Sequence, residues 1–548
     1  MRIRKTVALS LGTVCLAGLM AGPGVGGAAT PGKGATNSKA PVKIGMAATP
    51  IQHVVVIFGE NITFDHYFGT YPNAANPTGE PRFTALPGTP TINGLTPELL
   101  TNNPNFLNPN NGAGATNPFR LDRSQALTND QDHDYTPEQQ SFDMSLMDAF
   151  PQYTGTAGPP PNPPPGAVTT TGLVMGYYDG NTDTALWNYA QHFAMSDNNY
   201  GTTFGPSTVG ALNLISGQTN GVAATLNGTS DETDGGDGSL TVIGDPNPIG
   251  DMCTSSTSGQ VTMQGTNIGN LLTAAGVTWG WFEGGFNLGI VNQNGTTGCN
   301  RSSTGVVGVT ESDYIPHHEP FQYYPSTANP NHTRPTSVQT IGHAGDPANN
   351  QYDIVDFFDA VNAGNFPAVS FLKARGIQDA HPGYSDPLDE QNFVVNTINF
   401  LMQKPEWSST LVIITYDDSD GWYDHQLGPI VNQSNGDADA LTGPNACGNG
   451  NIALPGVASG NLHALGRCGY GPRIPLLVIS PYAIPNFVNH AVTDQTSVLR
   501  FIEDNWLGGQ RIGQGSFDAL SGNLENMLNF SQAPNPILLL SPGTGEPQ

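Results

Sequence analysis

Basic residues are scarce in this chain, and scarcer still beyond its first 50 residues. Only 18 of 548 residues are Lys or Arg, against 45 Asp or Glu. Six of the 18 fall in residues 1–50, which hold no acidic residue; residues 51–548 keep twelve basic groups against 45 acidic ones, a net of −33. Such a body cannot bind nucleic acid by neutralising phosphates, nor hold an anionic membrane through its general surface. An anionic ligand would need a local device such as a metal, a few histidines or a helix N-terminus. Cysteine is sparse too, five in all, and no C-x-x-C or Cys/His spacing suits a structural zinc. No stretch reaches the roughly 18 apolar residues of a membrane-spanning helix, so the mature chain is expected to be soluble, without stable membrane insertion. What abounds is Gly and Pro, 68 and 45 residues, which implies long loops. An apolar content of 37% still permits a sizeable core.

Residues 1–29 have the pattern of a secretory signal peptide. Arg2, Arg4 and Lys5 form a positive start, Val7–Met20 an apolar run too short to span a bilayer, and Gly27-Ala28-Ala29 a small-x-small cleavage site. Gly-Thr-Val before Cys15 makes a poor lipoprotein site. Export to the periplasm or the medium is therefore expected, with residues 30–50 as a flexible linker. Four cysteines remain after processing, an even count that suggests two disulfides. The sequence-local pairing is favoured: Cys253 with Cys299 and Cys447 with Cys468.

Three near-continuous apolar, β-branched runs, at 51–58, 410–416 and 474–480, have the pattern of buried parallel strands, with a shorter fourth at 367–372. Helical periodicity lies between them, at 352–364 and 389–403. Strands alternating with helices predict an α/β fold, a mostly parallel sheet with helices on both faces. Residues 73–120 and 218–312 are rich in Asn, Gly, Thr and Pro and are expected to be excursions from the sheet. Residues 51–548 thus form one domain with large insertions.

Several catalytic signatures are missing. There is no G-x-S-x-G elbow, no H-E-x-x-H, no phosphate-binding loop, no G-x-G-x-x-G after the first strand, and no C/S-x-P-x-R element. In open α/β sheets ligands bind beyond the carboxyl ends of the strands, so strand ends are the places to inspect. The first run leads into Gly59-Glu60-Asn61, and the run at 410–416 into Asp417-Asp418, a Ser419-Asp420-Gly421 turn and Asp424-His425. Carboxylates and an amide suit a hard divalent cation. Histidines punctuate other loops: His133, the His317-His318 pair and His381. Ser207 follows Gly205-Pro206 and precedes an apolar helical run. That places its hydroxyl at a helix N-terminus, where N–H groups and the dipole favour an anion.

The stretches HVVVIFGENITFDHYFGTYP, TTFGPSTVGALNLISG, YIPHHEPFQYY, VSFLKARGIQDAHPGYSDP, TYDDSDGWYDH, GPRIPLLVISPYA and DQTSVLRFIEDNW resemble the bacterial phosphoesterase family. Its members are secreted acid phosphatases and phospholipases C of the phosphatidylcholine type. The resemblance runs from about residue 51 to 510, with the intervening loops unplaced. It implies an alkaline-phosphatase-like fold and phosphate-ester hydrolysis by a hydroxyl nucleophile. In the family's E-N-[RH]-S-F-D-H-Y-F-G element the Glu and Asn contact metal and phosphate, which points to Glu60 and Asn61; Ile62-Thr63 replace the usual pair that follows. The nucleophile position falls on Ser207, the paired aspartate ligands on Asp417 and Asp418, and the phosphate-contacting histidines on His133, His318 and His381. Phospholipase-type members read P-T-H-P-N-R where this chain has Pro206-Ser207-Thr208, nearer the phosphatase side. Gln495 stands where relatives often have His, and no role is assigned to it.

The reading that results is an exported acid phosphatase. One divalent ion, of unspecified identity, would be held by Glu60, Asn61, Asp417 and Asp418, with Ser207 forming a phosphoseryl intermediate from a small phosphate ester. His318 or His381 would protonate the leaving group, which favours mildly acidic pH. The alternatives are a phospholipase C, and a secreted cation-binding protein without activity. Oligomeric state is left open.

Overall fold

The structure, a computed structural model, describes residues 44–548 except 229, 444–445, 449–453, 455–456, 458–460 and 462. The expected signal peptide and most of the expected linker lie outside the described residues. The linker's last residues are held: Gly45 N–H donates to Trp506 O (2.9 Å), and Ala48 N–H to Asn505 O (2.8 Å).

Eight strands build the central sheet: β1 (His53–Gly59), β2 (Ala194–Ser196), β3 (Trp279–Glu283), β4 (Gln351–Asp353), β5 (Val369–Lys373), β6 (Thr410–Tyr416), β7 (Leu476–Ile479) and β8 (Phe487–Asn489). Their order is β4-β3-β5-β1-β6-β7-β2-β8. Every neighbouring pair is parallel except the two that involve β7, which alone runs the other way. The run at 474–480 is thus a strand as expected but an antiparallel one. All seven residues of β6, and all of β1 after His53, are buried. Side chains alternate faces along a strand, so unbroken burial means that both faces of the sheet are covered. Each fully buried Val, Leu or Ile contributes about 1.5–3 kcal/mol, which makes these two strands the middle of the core. The α/β class and the mostly parallel sheet are as expected.

The helices that concern the site are α1 (Phe64–Phe68), α2 (Tyr135–Ser141), α3 (Thr184–His192), α4 (Ser207–Ser216), α5 (Ile268–Ala275), α6 (Ile354–Asn362), α7 (Pro387–Met402) and α8 (Thr496–Trp506). α4, α5 and α8 pack together, as do α3 and α7. Residues 218–312 are not one excursion: they contain a separate five-stranded sheet, then return to the central sheet as β3. Both disulfides, Cys253–Cys299 and Cys447–Cys468, are formed as expected.

Candidate active site

Three adjacent strands end at one place. Gly59, the last residue of β1, pairs with Tyr416, the last of β6, so Glu60 emerges beside Asp417. β5 ends at Lys373, one position beyond the Ile57–Leu372 pair. Adjacent strand residues point to opposite faces, so Asp417 and Asp418 can share a site only if the chain turns. It does. Asp417 Oδ1 accepts from the N–H groups of Asn61 (2.8 Å) and Asp418 (2.7 Å), and Asp418 Oδ1 accepts from the N–H of Asp420 (2.7 Å). Asn61 and Asp420 take left-handed backbone, φ 57° and 50°, which Asn and Asp tolerate better than most residues.

The first turn of α4 lies against the end of β6. A Cβ on Gly210 would sit 2.1 Å from Asp417 O, so only glycine permits this approach. It delivers Ser207, 1% exposed, into the cluster. Its Oγ is 3.0 Å from Glu60 Oε2, 3.2 Å from Asp418 Oδ2 and 3.3 Å from Asn61 Oδ1. One hydroxyl proton faces three acceptors and can serve one.

Asn61 sharpens the point. Its Oδ1 lies 2.9 Å from Glu60 Oε2 and 3.2 Å from Asp417 Oδ1, oxygen against oxygen, while its Nδ2 is 3.1 Å from His381 Nε2. Turning the amide over would relieve the oxygens, its nitrogen then donating to Glu60 Oε2 and Asp417 Oδ1; a cation among the same oxygens would relieve them too. His381 Nδ1 is 2.6 Å from Pro382 O; a carbonyl only accepts, so Nδ1 carries the proton. Burial lowers His381 below the ordinary histidine value, with Asp130 and the Pro382 carbonyl opposing it. Asp417 Oδ2, buried, has no hydrogen-bond partner among the described residues. An oxygen-only donor set short of protons fits a hard divalent cation.

All three expected histidines reach this cluster. His133 Nε2 is 3.3 Å from Asn61 Nδ2, and its Nδ1 donates to Gln131 O at 2.9 Å. Burial alone would lower His133, but Asp418, Asp420, Asp130 and Asp245 outweigh it and hold the imidazole well above its usual range. His318 Nδ1 is 3.4 Å from Glu60 Oε1; burial, with His317 and His381 nearby, takes it well below. Burial first, then Asp417, pushes the Asp418 carboxyl well up.

A family model described as Phosphoesterase family matches residues 51–507. The chain belongs to that family. Phospholipase C A of Mycobacterium tuberculosis is 26% identical over 505 residues, 89% of this chain and 79% of that protein. Non-hemolytic phospholipase C of Pseudomonas aeruginosa is 30% identical over 194 residues, 34% of this chain and 27% of the relative. An alkaline phosphatase superfamily structure from Vibrio parahaemolyticus overlays with a TM-score of 0.27 at 12% identity, covering 63% of this chain and 65% of that one. The protein is a hydrolase acting on phosphate ester bonds.

Four residues of this phosphoesterase's site escaped the sequence reading. Lys373, 1% exposed, pairs with Glu60 Oε1 and lies 3.9 Å from Asp417 Oδ2; burial lowers it despite Asp417, Asp379 and Asp418. Glu138 on α2 accepts from Gly205 N–H (2.9 Å) and from the Ser419 hydroxyl. Gln495, left without a role, donates to Tyr416 O (3.1 Å) and Asp417 O and so braces the turn. Asp420, expected to be merely a turn former, is fully buried, with Oδ1 3.5 Å from Asn61 Nδ2 and 3.5 Å from His133 Nδ1. Asp424 and His425 belong elsewhere: Asp424 pairs with Arg473 (3.1 Å), and His425 Nδ1 with Asp65 (2.6 Å).

Proposed function

We propose that this phosphoesterase is an exported, metal-dependent phosphatase that hydrolyses phosphate monoesters through Ser207. The observation that carries the reading is the position of Ser207 Oγ, at a helix N-terminus and within 3.3 Å of Glu60, Asn61 and Asp418. Glu60, Asn61, Asp417 and Asp418 would hold one divalent ion. Bound there, the ion supplies Lewis-acid stabilisation of the nucleophilic oxygen and of charge on the phosphoryl group. The Ser207 hydroxyl proton has a carboxylate acceptor at hand in Glu60 Oε2 or Asp418 Oδ2. Ser207 Oγ forms a bond to phosphorus as the P–O bond to the leaving group breaks. The leaving oxygen takes a proton from His133, the imidazole whose carboxylate neighbours favour its charged form. Water then cleaves the phosphoserine, giving a proton back as phosphate is released and the hydroxyl restored. The α4 N-terminus and the imidazoles of His133, His318 and His381 line the space for the non-bridging oxygens, where charge must be stabilised.

A second reading, phospholipase C, is favoured by one observation: the relatives that align over 89% of the chain bear that name. Against it stands Ser207-Thr208 in place of the phospholipase-type P-T-H-P-N-R. Turnover of p-nitrophenyl phosphate against p-nitrophenylphosphorylcholine, from acid to mildly basic pH and with and without chelator, separates the two. Faster turnover of the diester would overturn the monoesterase reading. Ser207→Ala should abolish either activity; retention of more than about a tenth of kcat, a loss under about 1.4 kcal/mol, would rule out the covalent route.

A further inference from the structure

Glu60 faces two ways. Its Oε2 looks into the oxygen cluster around Ser207, at 3.0 Å from the hydroxyl, while its Oε1 pairs with the Lys373 ammonium. The surroundings of that ammonium are themselves a set of ligand types. Asp417 Oδ2 lies 3.9 Å from Nζ and has no hydrogen-bond partner among the described residues. His318 Nδ1 is 3.4 Å from Glu60 Oε1 and 3.8 Å from Asp379 Oδ2. Asp379 is 1% exposed and is held in place by the His381 N–H (3.0 Å) and the Tyr384 hydroxyl (3.2 Å). With an ion bound among the oxygens, Glu60 would give one oxygen to it and the other to the ammonium, and the carboxylates and imidazole beside the ammonium are the ligand types of a two-cation phosphoryl-transfer site. Here a lysine stands at the outer position.

We propose that the Lys373 ammonium occupies the second cation position of a site shaped for two, so that this phosphoesterase takes one divalent ion where its carboxylates would otherwise collect a pair. The proposal rests on the metal site assigned above to Glu60, Asn61, Asp417 and Asp418. A lysine suits the place because its charge is compact and arrives on a flexible stem. β5 carries that stem between covered faces of the sheet, and Nζ lies 5.0 Å from the Phe58 ring centroid. A tethered charge is present at every metal concentration; a second ion would have to be captured. Lys373 is thus a positioning residue that acts through Glu60 and sets metal stoichiometry.

The test reads metal content rather than turnover alone. The purified full chain, wild type and with Lys373→Ala, Lys373→Gln or Lys373→Arg, is loaded in turn with Zn²⁺, Mn²⁺ and Ca²⁺, desalted and assayed for bound metal per chain, with folding checked by circular dichroism. One equivalent is expected in the wild type and in Lys373→Arg, and two in whichever neutral variant folds. Adding Asp379→Asn to that variant should return it to one. Two equivalents in the wild type, or one in a folded neutral variant, would overturn the proposal while leaving the Ser207 site standing. A wild type that holds no metal, together with an active Ser207→Ala, would instead remove the metal-site reading and this proposal with it.

Discussion

Replacing Glu138 by glutamine separates the effect of a buried charge from that of packing. The side chain is 1% exposed and joins the turn before Ser207 to the turn after Asp418, through Gly205 N–H and the Ser419 hydroxyl. Burial, opposed in part by these two hydrogen bonds and by His133, pushes its carboxyl up from 4.5 to about 8. Below pH 4.5 the acid is protonated in both folded and unfolded chains, so it imposes no pH dependence. Between 4.5 and about 8 the unfolded chain ionises while the folded one stays neutral, and stability falls as pH rises. Above about 8 the loss is complete, about 5 kcal/mol for a displacement of about 3.5 pH units. Glutamine does not titrate, and its amide oxygen can still accept from Gly205. The stability of Glu138→Gln relative to wild type should therefore rise steadily across that window. Urea midpoints at stepped pH measure it. Any constant cost of the altered hydrogen bonds cancels in the slope, so parallel pH profiles for the two proteins would refute the reasoning.

Asp417→Asn and Asp418→Asn should each lower bound metal and kcat, read by metal analysis and phosphate release. Asp420→Asn should lower kcat while metal is retained, because Asp420 touches Asn61 Nδ2 and His133 rather than the oxygen cluster; unchanged kcat would return it to a turn former. Gly210→Ala should cost at least about tenfold in kcat, about 1.4 kcal/mol, because its methyl meets Asp417 O and drives α4 away from the strand end. Wild-type kinetics in that variant would mean that α4 need not sit so close.

Sequence showed most clearly what repeats along a strand or falls directly after one. The run TLVIITY is β6 to the residue, and inspecting strand ends led directly to Glu60, Asn61, Asp417 and Asp418. β3, WGWFE, was lost because glycine and tryptophans interrupt any β-branched run and because it falls inside the stretch 218–312 expected to be an excursion. Lys373 was missed because the reading of that strand stopped one residue short, at Leu372, and because a cation was not sought among cation ligands. Glu138 and Gln495 carry no local signal: each acts on backbone or hydroxyl groups that only the folded chain brings near. Asp420 was read from its neighbours Ser419 and Gly421, which describe the turn correctly but not where the side chain goes.

The place of β1 in the middle of the sheet governs how the chain can assemble. Val54 lies between Val369 on one side and Leu411 on the other, so the earliest strand has no sheet partner until two thirds of the chain has been made. Pairings so distant in sequence are slow to form, because a long loop must close before any contact rewards it. A ribosome-bound or truncated chain ending before β5 would thus expose an apolar strand with both edges open, the kind of segment that aggregates or recruits a holding factor. Catalytic competence arrives late by the same logic. Glu60 is synthesised early but gains Lys373, Asp417 and Asp418 only after two thirds of the chain has been made, so no product that stops before Asp418 carries the assembled site.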